Sequence, residues 1–497
     1  MSLISTLSLI YAKRVHQKNK WWVDNPIEAQ QKVLTSLVKK AQKTAFGKDH
    51  HFQTINNYSD FKKNVPIRDY EGLKKYIKKV KEGHKNILWP GIPMYFCKTS
   101  GTTSGVKYIP ISKESMPFHI KCAKDAILNY IYYSGKTSFL NAKNIFIQGS
   151  PVLDFSSKTP IGRLSGIVAH HVPWYLKSKN LPSYKTNCID DWETKIDAIV
   201  RETKDKNLGI ISGIPPWVQM YFEKIKSEKN KSISQVFPNF SLFIYGGVNF
   251  EPYKNRFSDL IGKEIPSIET YPSSEGFIAY QDKQNDPGLL LCVNHGIFYE
   301  FIAVEDYFKE SPKRISLEDV KTGVDYAIIL NTNAGLWGYS IGDTVRFTST
   351  KPYKLVVSGR IKHFTSAFGE HVIGKEVEEA IKNCCEKHPA IITEFHVAPQ
   401  INPKNGLPFH EWFIEFKKEA KSMDDFCVTL DEEMKKQNTY YKDLIDGSVL
   451  RPLQISKLKE NSFINYMKSV GKLGGQNKVP RLANDRKIGD FLSKFKI

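Results

Sequence analysis

No stretch of the 497-residue chain approaches the roughly 20 consecutive apolar residues that a membrane-spanning helix needs. The apolar run from Leu3 to Tyr11 is short and lacks both an upstream basic region and a cleavage site, so it reads as a packed first helix. Low-complexity tracts and internal repeats are also missing, which excludes disordered and solenoid classes. Cysteine is sparse: seven residues, an odd number, without zinc-type spacing, and one adjacent pair, Cys384 and Cys385, in a helix-like stretch. Reduced thiols in a cytoplasmic protein fit that usage.

The composition that is present belongs to a folded protein, with 41% hydrophobic and 12% aromatic residues. The length suits two domains. A formal net charge of +20 comes mostly from lysine scattered along the whole chain. Scattered charge argues against a nucleic-acid arm, which clusters its basic residues beside a reading module. It does favour a polyanionic small molecule. A monomer is the default expectation.

Residues 1 to about 85 read as helical, with periodic apolar positions in Ala29 to Val38 and breaks near Gly47 and Pro66. From about 90 to 350, short β-branched or aromatic runs (Asn144 to Gln148, Leu208 to Ser212, Ser241 to Tyr245, Tyr326 to Asn331) alternate with amphipathic patterns. That alternation predicts an α/β fold, a large N-terminal domain with parallel or mixed sheets and flanking helices. After Gly359-Arg360 the pattern becomes that of a smaller α+β domain. It has a helix over 374–387, strands around 394–398 and 412–416 joined by Pro403-Lys404-Asn405-Gly406, another helix, a strand near Leu453 and a last helix near Phe463. The expected domains are 1–360 and 361–497.

Chemistry concentrates in a few stretches. Thr99-Ser100-Gly101-Thr102-Thr103-Ser104-Gly105 packs five hydroxyl residues and two glycines into seven positions, followed two residues on by Lys107. Such a loop can turn backbone N–H and side-chain O–H groups onto phosphate oxygens. Only three residues separate Gly101 from Gly105 and Tyr108 follows Lys107, which departs from the P-loop of NTPases. Alone, such a composition favours the reading of a solvated surface turn over that of a phosphate loop. Tyr271-Pro272-Ser273-Ser274-Glu275-Gly276 places a carboxylate beside hydroxyls, a plausible magnesium ligand. Tyr339-Ser340-Ile341-Gly342-Asp343 sets an aspartate at what reads as a tight turn, where its oxygens could accept both hydroxyls of a ribose. Seventeen residues beyond Asp343 stands Arg360.

In this order the motifs resemble those of the plant auxin-responsive acyl acid amido synthetases and their bacterial relatives, within the adenylate-forming superfamily of firefly luciferase and acyl-CoA ligases. The resemblance begins with Pro26-Ile27-Glu28-Ala29-Gln30 and continues through Thr44-Ala45-Phe46-Gly47-Lys48, Val65-Pro66-Ile67-Arg68-Asp69-Tyr70-Glu71 and Leu88-Trp89-Pro90-Gly91 to Asn477-Lys478-Val479-Pro480-Arg481. It implies a ligase that uses ATP and Mg2+ to make an acyl-AMP from a small carboxylic acid, then passes the acyl group to an amine, that of an amino acid. By the same resemblance the 99–107 loop, with Ser100, Thr102 and Thr103 foremost, holds the phosphates. Gly246-Gly247-Val248 lines the adenine. Glu275 is the magnesium-linked glutamate, Tyr271 and Ser274 lie by the nucleotide, Asp343 binds the ribose, Arg360 is the hinge arginine and Lys478 is the mobile lysine at the α-phosphate.

The acyl pocket is expected from residues 120–250, which include His170, His171, Trp174 and Trp217, although buried aromatics are core more often than substrate wall. His170-His171 reads either as a general base for the amine or as a surface pair. Two other readings stay open: a ligase that delivers the acyl group to coenzyme A, and a catalytically silent homologue that only binds ligand.

Overall fold

The computed structural model describes residues 3–100, 106–247, 250–361, 364–365, 372–401, 403–446, 450–474, 478–483 and 485–497. The chain divides into two compact units, residues 1–250 with 257–357, and residues 251–256 with 358–497.

Helices open the first unit: Leu3–Asp24, Pro26–Ala41, Ala45–Asp49, Tyr58–Asn64 and Tyr70–Lys81. The first corrects the sequence reading. It is helical, but Leu3, Ile4, Leu7, Ile10 and Tyr11 are exposed, and it docks instead through Ser5, Ala12, Asn19 and Trp22. A hydrogen bond from Asn19 Nδ2 to buried Asp125 shows why: this contact is partly polar, so apolar content was a poor guide to the docked face. The breaks have local causes. Thr44 caps the third helix by accepting from the Gly47 N–H, and Asp69 caps the fifth through the Gly72 N–H.

The strands of the first unit, in chain order, are β1 (Tyr95–Ser100), β2 (Val106–Ile111), β3 (Lys143–Ile147), β4 (Ile161–Gly162), β5 (Asn180–Leu181), β6 (Leu208–Gly213), β7 (Leu242–Gly246), β8 (Ser267–Ser273), β9 (Gly276–Tyr280), β10 (Leu289–Leu291), β11 (Ile297–Ala303), β12 (Asp325–Thr332), β13 (Tyr339–Thr350) and β14 (Tyr353–Arg360), whose last three residues count with the second unit. An eleven-stranded sheet runs β11-β12-β13-β14-β10-β9-β8-β7-β6-β3-β5. It is a mixed α/β sheet. Pairing is parallel from β5 through β3, β6 and β7 to β8, where helices such as Trp192–Thr203 and Pro215–Lys229 make the crossovers. At β9 the direction reverses, and hairpins replace crossovers. Burial on both faces explains the nearly continuous apolar sequence of β12. A small sheet, β2-β1-β4, packs beside it.

In the second unit β15 (Phe364–Thr365) and β16 (Val372–Ile373) form a ribbon, and β17 (Ile391–Gln400), β18 (Phe409–Lys418) and β19 (Gln454–Leu458) form a three-stranded sheet. Alternation along β18 sends Trp412 and Ile414 into a core with the helices Gly374–Lys387 and Met423–Gln437. Phe413 faces the opposite side, against Phe463, Ile488 and Leu492. Two helices exceed the sequence reading: Thr439–Asp446 follows Met423–Gln437, and Lys487–Leu492, not the helix near Phe463, is the last α-helix. Each is short, eight and six residues, so its periodicity spans too few turns to register.

Candidate active site

Three motifs meet in the first unit. The hydroxyl loop grows from a β-hairpin: β1 and β2 pair from Tyr95 opposite Ile111 to Ser100 opposite Val106. Gly101, Thr102, Thr103, Ser104 and Gly105, between β1 and β2 in the sequence, lie outside the described residues, as does the side chain of Ser100. Thr99 sits opposite Lys107 at the hairpin's end. Tyr70, from the fifth helix, accepts the Tyr108 N–H at 3.0 Å, and its ring lies 5.9 Å from the Lys107 ammonium. The loop's stem is therefore fixed by tertiary contacts.

Ser274 and Glu275 form the two-residue turn of a second hairpin, with Ser273 of β8 opposite Gly276 of β9. Cys97 of β1 is fully buried and donates to Ser274 Oγ at 3.1 Å, which links the two hairpins. Burial pushes the Cys97 thiol up to about 12, so at neutral pH it keeps the proton that this bond requires. The Ser273 hydroxyl donates to the Glu275 carboxylate and accepts the Glu275 N–H at 3.2 Å. Burial raises the Glu275 pKa, the negative charge of Asp343 adds to the rise, and the bonds from Ser273 and the backbone and the charge of Lys107 oppose it. A half-buried carboxylate held near a second carboxylate is a site that a divalent cation would relieve, so these residues fit magnesium.

Asp343 is not at a tight turn. It lies inside the twelve-residue β13, in a bulge where the pairing passes from Ile329 opposite Ser340 to Ala327 opposite Thr344. Gly342 takes φ +84°, a conformation that favours glycine, and the bulge re-aims the next side chain. Tyr271 of β8 then donates to Asp343 Oδ2 at 2.7 Å. Glycine can be mistaken for a turn signal here because a bulge and a turn both need positive φ.

At the end of β7, Gly246 pairs with Thr270, and a Cβ on Gly246 would fall 2.4 Å from the Thr270 carbonyl oxygen. Thr270 Oγ1 donates to the Tyr245 carbonyl at 2.8 Å, which seals this edge. Gly247 follows at φ +82°, and Val248 lies outside the described residues.

The remaining sites fall elsewhere. Arg360 ends β14 and is exposed, and Lys478 is exposed in the second unit. Lys478 precedes a segment tied to β17: Pro480 O lies 2.6 Å from His396 Nδ1, the Val397 N–H donates to Arg481 O, and Arg481 pairs with Glu394. His170 Nε2 contacts the Pro151 carbonyl at 2.8 Å, and His171 Nε2 lies 3.1 Å from the Tyr95 hydroxyl. Tyr95 begins β1, so His171 is roughly 16 Å along the strand from its loop end. Trp217 packs on Trp192 and is core, and the side chain of Trp174 lies outside the described residues. Cys97, Thr270 and Tyr70 were given no role from sequence. Contacts between elements distant in the chain reveal them.

Models of the GH3 family N-terminal, central and C-terminal domains match residues 20–266, 290–360 and 375–487 in that order. The chain belongs to the GH3 family. Among curated GH3 relatives, indole-3-acetic acid-amido synthetase GH3.15 of Arabidopsis thaliana is 22% identical, over 95% of this chain and 94% of its own. Jasmonoyl--L-amino acid synthetase JAR6 of Nicotiana attenuata is 23% identical, over 85% of each. The fold is that of the solved GH3.15 acyl acid amido synthetase, with a TM-score of 0.80 at 17% identity, covering 96% of this chain and 95% of that one. A 2-hydroxyisobutyryl-CoA ligase in complex with 2-HIB-AMP shares it more distantly, with a TM-score of 0.58 at 12% identity over 93% and 90%. The GH3 fold is thus common to amido synthetases and at least one adenylate-forming CoA ligase.

Proposed function

We propose that this GH3 chain is an acyl acid amido synthetase that makes an acyl-AMP from ATP and a carboxylic acid and transfers the acyl group to the amine of an amino acid. The observation that carries the reading is the junction of Tyr271 with Asp343 and of Cys97 with Ser274, which brings the ends of three distant motifs together. The names of the relatives, all amido or amino acid synthetases, support the choice of amine as acceptor.

A carboxylate is a poor electrophile. In the first step one of its oxygens attacks the α-phosphorus of ATP, the bond to the bridging oxygen breaks, and pyrophosphate departs with that electron pair. The difficulty is crowding of negative charge, so preorganised donors and cations dominate the rate. The hydroxyls and backbone of residues 99–105, with Lys107, bind the phosphates. Asp343 takes the ribose, held in place by Tyr271, and the strand end at Gly246-Gly247-Val248 lines the base. Glu275 would hold Mg2+, whose charge offsets that of the phosphates. Lys478, carried by the second unit, neutralises the attacking carboxylate and α-phosphate. Arg360 lies where the chain passes between units and serves the hinge. In the second step the amine nitrogen attacks the acyl carbon, AMP leaves and the nitrogen gives up a proton.

The test is pyrophosphate release from pure protein with ATP, magnesium and a panel of carboxylic acids, with amino acids or coenzyme A added separately. Acceleration by amino acids, with an amide product in the mass spectrum, is the expected result. Acceleration by coenzyme A alone, or silence across the panel, rejects the proposal.

A further inference from the structure

Away from the nucleotide motifs, three buried donors converge. Cys122 lies on the helix Met116–Ser134, and Cys292 and His295 lie in the turn between β10 and β11. The two thiol sulfurs and a ring nitrogen of His295 all lie within 4.8 Å of one another. Both cysteines are 0% exposed and His295 is 3% exposed. We propose that Cys122, Cys292 and His295 form a binding site for a thiophilic divalent cation, Zn2+, which ties this helix to the β10–β11 turn.

Buried cysteines alone are ordinary core residues. A further observation separates this cluster from that case. Nδ1 of His295 has no hydrogen-bond partner although it is buried. An orphaned polar atom in a core costs free energy, and a metal at Nδ1 removes that cost. Lys121 lies 3.0 Å from His295 Nε2 and 2.5 Å from Asp125 Oδ2, so Nε2 accepts and the ring proton sits on Nδ1. When Nδ1 ligates, that proton moves to Nε2 and Lys121 is left to Asp125.

The geometry and charge are suitable. Tetrahedral zinc with thiolate and imidazole ligands sets its donors about 3.5–3.8 Å apart, a side-chain adjustment from the present cluster. Two thiolates neutralise Zn2+ after losing their protons to solvent, and Lys121 neutralises Asp125, so no net charge is buried. A fourth ligand is needed; among the described residues no further side-chain donor joins the cluster, so a water fills that place. The rings of Trp22 and Phe118 stand edge-on to His295 at 5.3 and 5.4 Å and hold its plane. Sequence spacing alone could not reveal the site: Cys292 and His295 stand three residues apart, but Cys122 is far from both in the chain and joins them only through the fold.

The full-length protein, reduced and stripped by a chelator, would be titrated with Co2+ and then Zn2+. One equivalent of Co2+ per chain is expected to bring a thiolate-to-cobalt charge-transfer band and tetrahedral d–d absorption, which Zn2+ abolishes. Cys292→Ser and His295→Gln should lose these bands, while Cys384→Ser with Cys385→Ser keeps them. Zn2+ should also raise the melting midpoint of the stripped wild type but not of His295→Gln. Absence of the cobalt bands in the wild type, their survival in Cys292→Ser, or a Cys122–Cys292 disulfide in the purified protein would overturn the proposal. Should Cys292→Ser fail to fold, His295→Gln and the wild-type stoichiometry decide.

Discussion

The phenol of Tyr271 donates a 2.7 Å hydrogen bond to Asp343, a residue seventy-two positions further along the chain. This bond spans the sheet from β8 to the bulge in β13 and fixes the carboxylate assigned to the ribose. Tyr271→Phe keeps the buried ring and removes only the hydroxyl. The Km for ATP should rise about tenfold, the equivalent of ~1.4 kcal/mol, with little change in kcat. Steady-state pyrophosphate release over a range of ATP checks it, and an unaltered Km would mean that Asp343 needs no such support.

Glu275 should impose a distinctive pH dependence. Its folded pKa is raised, so on acidification it takes up its proton earlier than an ordinary glutamate near ~4.3 and loses its affinity for a cation. Adenylation should therefore fall on the acid side at a pH above that value. Excess Mg2+, which competes with the proton, should move the limb back down. Glu275→Gln should lose about a hundredfold in rate and the magnesium sensitivity of the profile. Profiles at two magnesium concentrations that superimpose would remove Glu275 from the cation site.

Lys478→Ala tests the cation in the second unit. Adenylate formation should drop by about 10²–10³, while the dissociation constant for ATP, measured by calorimetry, stays near that of the wild type. A variant that adenylates at the wild-type rate would show that Lys478 is a solvated lysine like most others in the chain.

Gly246→Ala probes the close approach of β7 to β8. The added methyl meets backbone, 2.4 Å from the Thr270 oxygen, which cannot rotate away. A loss of about 1–3 kcal/mol is expected, read as a lower melting midpoint. Gly342→Ala, whose methyl would meet open space, should be strained only by its positive φ and cost less.

Much of the fold was legible in the sequence where one element decides its own pattern. The strands expected at Asn144 to Gln148, Leu208 to Ser212, Ser241 to Tyr245 and Tyr326 to Asn331 each lie within a residue or two of β3, β6, β7 and β12. The helix over 374–387 is Gly374–Lys387. These segments are buried on a face or on both, so periodicity and β-branched content carry the signal. The first helix shows the limit. Its apolar residues predicted a docked face, yet the docked face is built on Asn19 and Trp22, because the partner helix presents Asp125.

By itself the sequence determined the family, the order of elements and the chemical types available to the site: hydroxyls at 99–104, a carboxylate at 275, another at 343, a lysine at 478. The tertiary structure alone decided which of these touch and through what. The bulge at Gly342, the turn at Ser274-Glu275 and the bond from Cys97 depend on strand register and on the reversal at β9. The same holds for the meeting of Cys122 with Cys292 and His295. Local pattern reports what a residue prefers, whereas contacts between distant residues are set by how whole elements pack, and that is written in no single stretch of chain.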